Sequence, residues 1–147
     1  MDPLRVAELE RRLGYRFRDP SFLEEALTHA SFANEHPPAT DHARLAFLGD
    51  AALGLVVADH VTAADLAATV GELTARRAEL VTGRHLARWA VELELGALLR
   101  LGRGEDQSGG RTRESILATA LEAVLGAIYR EAGIDAVRAA IARLAAW

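Results

Sequence analysis

His42-Ala43-Arg44-Leu45-Ala46-Phe47-Leu48-Gly49-Asp50-Ala51-Ala52-Leu53 reads as one buried helix with a carboxylate in the middle of it. Leu45, Leu48 and Ala52 recur at spacings of three and four, the repeat of one helical face. Asp50 is the single acid between Ala43 and Val57. A second stretch repeats the anomaly. From Ile116 to Tyr129 the only acid is Glu122, inside Leu117-Ala118-Thr119-Ala120-Leu121-Glu122-Ala123-Val124-Leu125-Gly126. An acid held among apolar residues must be paired, hydrogen-bonded or bound to metal, because desolvating it alone costs several kcal/mol. Two readings stay open on spacing alone. Each acid sits in a salt bridge or at a helix N-terminus, or both face one cleft and hold a divalent cation.

Outward from these two helices the chain is helical throughout. Asp2-Pro3 and Asp19-Pro20 pair a capping acid with a first-turn proline, and Gly14 stops the first helix. The spacing predicts a loop over 32–40, where Pro37-Pro38 fall, and a long helix from Asp41 to about Val61. A short Ala-rich connector follows at 62–70, then one or two helices from Gly71 to Leu95. A glycine-rich loop spans Leu101 to Gly110, a helix runs from about Arg113 to Ala132, and a last one from Asp135 to Trp147. No strand-like alternation occurs, so the expected class is all-α.

The 147 residues suit a single domain over 1–147. Half are hydrophobic, and 30 alanines against 5% aromatics favour close packing of helices through small side chains. All 17 basic residues are Arg, yet the net charge is −4, so nucleic-acid binding driven by bulk charge is excluded and only a local patch could supply it. The absence of cysteine excludes disulfides, thiolate nucleophiles and Cys-ligated metals. No run approaches the ~18–20 uncharged apolar residues of a membrane span, and the N-terminus lacks a signal-peptide core. The expectation is a cytoplasmic protein without membrane contact.

The stretch around Asp50 resembles the ribonuclease III signature N-E-R-L-E-F-L-G-D-A-V-L. Leu27-Thr28-His29-Ala30-Ser31-Phe32 resembles that family's L-T-H-x-S-[YF], and Arg77-Ala78-Glu79-Leu80-Val81 its R-A-x-L-V. Leu99-Arg100-Leu101-Gly102-Arg103-Gly104-Glu105 with Ser108-Gly109-Gly110 is similar to its L-x-L-G-x-G-E…S-G-G loop. Arg113 to Tyr129 is similar to its R-E-S-I-L-A-D-x-x-E-A-x-x-G-A-[IV]-[YF]. The resemblance covers about residues 5–145 in order. It implies the all-α ribonuclease III endonuclease-domain fold, a Mg²⁺ site and action on double-stranded RNA. Asp50 and Glu122 fall on two of the family's four metal-binding acids and are the candidate catalytic and metal residues. Ala46 and Thr119 stand where the other two acids belong, and Ala43 where the signature's first Glu belongs. Half the charged ligands are missing, one from each helix, so Mg²⁺ binding should be weak or absent.

The resemblance also assigns Phe47 to a homodimer interface; an aromatic there could instead be core, but a homodimer is the expectation. Arg100, Arg103, Arg111 and Arg113 bracket the glycine loop and are the candidate contacts to phosphates of duplex RNA, read by shape and not by base. Arg76, Arg77, Arg84 and Arg88 crowd one segment but are diluted by Glu72, Glu79, Glu92 and Glu94. His29 is expected to hydrogen-bond local backbone at a helix end. His36, His42, His60 and His85 show no recurring ligand spacing, which argues against zinc. The glycine loop lacks a P-loop's Lys-Ser/Thr ending and a preceding strand, so no nucleotide cofactor is expected. Two functions from different classes follow. One is a degenerate RNA-binding or scaffold homodimer, inactive or weakly active. The alternative is an active Mg²⁺-dependent endoribonuclease using Asp50 and Glu122.

Overall fold

The computed structural model describes residues 1–147 as ten helices and no strand. Asp2 starts α1 (Pro3–Leu13) by accepting a hydrogen bond from Leu4 N–H, and Gly14 ends it at a φ of 66°, where a side chain would be strained. Asp19 caps α2 (Pro20–Ala26) in the same way through Ser21 N–H. The expected loop at 32–40 is helical in its first part, because α3 (Ala30–Glu35) precedes it. His29 caps this helix, accepting from Ser31 N–H through Nδ1, and the two prolines stop it only after Glu35.

At the centre, α4 (Ala43–Ala64) crosses α9 (Glu114–Ala132). The predicted segment from Gly71 to Leu95 resolves into α5 (Val70–Leu80), α6 (Gly83–Glu92) and the first residue of α7 (Leu95–Leu98). The glycine-rich segment is not all loop: it holds α8 (Arg103–Gln107) and, just past it, a 3₁₀ turn over Gly110–Thr112. Finally, α10 (Ile134–Ala145) packs on both α9 and α4. Eleven residues of α9 are buried, so α2, α6 and α10 are arranged around it as a central pillar. The buried hydrophobic residues form one contiguous cluster reaching from Leu9 to Ile141. By length and a mean hydropathy of 1.5, α4 could cross a membrane. Its apolar character has a simpler source, since Leu45, Gly49, Leu53, Val56 and Val57 are buried in the core.

Glu131, near the end of α9, ties the N-terminal segment to this pillar. Its carboxylate accepts from the Tyr15 hydroxyl, from Arg18 N–H at 3.0 Å and from Asp19 N–H at 2.7 Å. The start of α2 is thereby fixed against the helix that carries Glu122.

Candidate active-site cleft

Two glycines make the helix crossing close. A Cβ on Gly49 would land on the Glu122 carbonyl, and one on Gly126 would land on the Leu45 carbonyl. Backbone therefore meets backbone where α4 passes α9, and Asp50, next to Gly49, is brought to Glu122. Neither glycine stands out in the sequence taken by itself. The available signal is a small residue in each apolar helix, four residues beyond Leu45 in one case and four beyond Glu122 in the other.

Neither Asp50 nor Glu122 makes an ion pair with any arginine, which removes the salt-bridge reading left open by the spacing. Asp50 is exposed and Glu122 half-buried. Burial first, and then the neighbouring Asp50 carboxyl, push Glu122 up to about 7 from an ordinary value of 4.5. The two residues that stand in place of acids contribute no charge. Ala46 is 8% exposed and belongs to the core cluster. The Thr119 hydroxyl donates at 2.9 Å to Ser115 O within its own helix. No group of three or more His, Asp or Glu converges anywhere in the chain. A divalent cation with a mainly protein-built shell does not fit this donor set, although two acids do meet in one place.

The raised Glu122 has a consequence for stability. Its stabilising contribution, the retained proton, is full below pH 4.5 and gone once the pH has risen through about 7. His29, His42 and His85 are each lowered by burial and so pull the opposite way as they approach 6.5 from below. The difference between wild type and Glu122→Gln isolates the carboxyl. Across that window Glu122→Gln should gain about 2–4 °C in melting temperature on wild type, a modest effect because the site is half-open to solvent. A constant gap from pH 4.5 to 8 by thermal unfolding would contradict the assignment.

Phe47 projects from α4 and is 83% exposed, so it is not a core residue. Beside it lies a hollow of about 490 Å³ lined by Glu25, Ala43, Arg44, Leu45, Phe47, Leu48 and Arg130. The four arginines around the glycine segment differ in availability. Arg100 pairs with Glu24 at 2.7 Å, Arg111 with Asp106 at 2.8 Å, and Arg113 with Glu105. Arg111 also donates to the Gly96 and Leu99 carbonyls, so it holds the loop as much as it faces solvent. Only Arg103 leaves its guanidinium without an ion pair. His29 behaves as expected, accepting from Ser31 N–H through Nδ1, while Ser31 Oγ accepts from Gly102 N–H at 2.8 Å. This pins α3 to the glycine segment.

Fold and cleft together define a helical domain that presents acids from two crossed helices to one place. The ribonuclease-III-like family profile matches residues 19–146, and the chain belongs to that family. It is 51% identical over 138 residues to Ribonuclease 3 of Heliobacterium modesticaldum, covering 92% of this chain and 59% of that protein. To Ribonuclease 3 of Shewanella pealeana it is 47% identical over 139 residues, covering 94% and 60%. The chain thus spans about three-fifths of the length of these relatives. The nuclease domain of ribonuclease III from Campylobacter jejuni superposes with a TM-score of 0.89 at 38% identity, covering 95% of this chain and 94% of that one. That structure is described as showing flexibility in a region involved in dimer formation. The all-α endonuclease-domain fold expected from the motifs is the fold observed.

Proposed function

We propose that this chain is a double-stranded-RNA-binding homodimer of the ribonuclease III type whose metal site is partly lost, so that it cuts RNA slowly or not at all. The observation that carries this reading is the acid pair itself: Asp50 and Glu122 remain side by side, while Ala46 and Thr119 supply no charge. The family works with Mg²⁺, which would neutralise a leaving oxygen and activate water. Here Asp50 and Glu122 are the residues that would hold it, and binding should be millimolar or weaker. Mg²⁺ commonly binds through one or two carboxylates with water and phosphate, so residual affinity is compatible with two acids.

The dimer is carried by Phe47. An aromatic 83% exposed beside an open hollow, on a helix face with exposed Ala51 and Leu55, is a surface that a second copy would bury. Phe47→Arg should convert dimer to monomer in light scattering while leaving the helical circular dichroism unchanged. A dimer that survives the substitution would remove the interface assignment.

For RNA, the available cation is Arg103, with Arg100, Arg111 and Arg113 able to exchange acid partners for phosphates. Affinity should be weak, uniform across duplex sequences and steeply reduced by salt. A specific observation favours the rival reading of an active endonuclease: relatives 51% and 47% identical are named Ribonuclease 3. Incubating a long RNA duplex with the wild-type protein and Mg²⁺ or Mn²⁺ separates the two. The proposal expects a bound but essentially uncut duplex; cleavage at a rate matching an Ala46→Glu/Thr119→Asp variant establishes the enzyme instead.

A further inference from the structure

Near Arg103 lies a side-chain stack that is part of neither the Asp50–Glu122 pair nor the hollow beside Phe47. Phe32 and His36, one turn apart on α3 and just beyond it, stack with ring centroids 4.1 Å apart and planes 15° from parallel. The Arg100 guanidinium lies over the same Phe32 ring, 4.3 Å from its centroid. Two groups that close to one ring must take opposite faces, so Phe32 is sandwiched. The inner layer is fixed, because Arg100 also donates to Glu24 at 2.7 Å and to Thr28 Oγ1 at 3.2 Å. The outer layer is fixed too, since His36 Nδ1 lies 3.1 Å from the Phe32 carbonyl. Yet His36 as a residue is exposed, although one side of its ring is taken by Phe32.

The adjoining residue, Glu35, spends its carboxylate on Arg103 N–H at 3.0 Å. This fixes the Arg103 backbone beside Glu35, and Arg103 is exposed and in none of the ion pairs, so its side chain starts from the neighbouring surface. A rigid aromatic face with a cation beside it is the arrangement on which unpaired nucleobases stack while the flanking phosphate meets the arginine. An i,i+4 ring pair that merely props a helix contributes little on its own. It would have no need of the second, arginine layer anchored on α2.

We propose that the His36 ring is a stacking platform for an unpaired RNA base, with Arg103 taking the adjoining phosphate, so that the protein favours duplexes bearing single-stranded extensions. This rests on the RNA-binding reading above and refines its substrate class. The test compares a blunt RNA duplex with the same duplex extended at both ends by unpaired nucleotides carrying 2-aminopurine, at low salt. Wild type should bind the extended duplex about fivefold or more tightly than the blunt one and quench the 2-aminopurine. His36→Ala should abolish both the preference and the quenching while leaving blunt-duplex affinity within about twofold, since that affinity comes from phosphate contacts. His36→Trp should restore them. Equal binding of the two duplexes by wild type, or a preference that persists in His36→Ala, overturns the platform and leaves the RNA-binding reading intact. Failure to bind either duplex overturns both.

Discussion

Ala46→Glu/Thr119→Asp is expected to raise the rate of duplex-RNA cleavage about a hundredfold or more over wild type, because a few kcal/mol of recovered metal organisation are worth a factor of ten per ~1.4 kcal/mol. The helical repeat supports the design. Position 46 lies one turn before Asp50 and position 119 one turn before Glu122, so each new acid shares a face with its neighbour. The loss at Thr119 is minor, a hydroxyl bonded to Ser115 O within its own helix. The cost falls on Ala46, which is buried at the edge of the core. A Glu there must be desolvated beside a Glu122 already pushed up to about 7. Without metal the variant should therefore melt lower than wild type. Millimolar Mg²⁺ should raise its melting temperature while leaving wild type almost unmoved, since a ligand stabilises only the form that binds it. Equal cleavage by the two proteins, or micromolar Mg²⁺ binding to wild type by titration calorimetry, would sink the pseudonuclease reading.

What was legible in the sequence was whatever has a local cause. Asp2-Pro3, Asp19-Pro20 and Gly14 mark helix ends because caps and left-handed stops act within a few residues. Asp50 and Glu122 were conspicuous because a single acid in an apolar helix breaks the pattern of its own element. The short helix α3 was hidden because Pro37-Pro38 dominate the window in which it lies, whereas its cap, His29, comes before that window. The state of the arginines was equally hidden. Arg100 finds Glu24 across 76 residues of chain, a pairing no local pattern announces. Arg111 and Arg113 find Asp106 and Glu105 only because α8 and the 3₁₀ turn fold the glycine segment back on itself. Counting cations near a loop therefore overstated how many were free. Phe47 shows the same limit from the other side: its apolar neighbours fit a core position as well as a surface one, and only its exposure excludes the core.

The Gly49–Gly126 crossing makes the steepest prediction for stability. Glycine in a helix interior normally costs about 1 kcal/mol against alanine, so Gly→Ala at an open helical site stabilises. Gly54, one turn and a residue further along α4, is such a site, with no neighbouring atom within 4 Å of a built Cβ. At Gly49 the same methyl would overlap the Glu122 carbonyl, and at Gly126 the Leu45 carbonyl. Backbone cannot swing aside as a side-chain tip can, so the helices must separate along their whole contact. Overpacking of this kind costs about 1–3 kcal/mol at ordinary core positions and more where backbone is struck from both sides. In the Phe47→Arg background, which takes the exposed aromatic of α4 out of the comparison, Gly54→Ala should melt slightly higher than its parent. Gly49→Ala should melt about 10 °C lower or fail to fold, given roughly 2–4 °C per kcal/mol for a chain of this size. The same separation would draw Asp50 away from Glu122, so the pH-dependent gap attributed to that pair should shrink in any Gly49→Ala protein that folds. Two substitutions of one kind on one helix thus carry opposite signs, and a Gly49→Ala protein as stable as Gly54→Ala would show that the acids are not held together by this crossing.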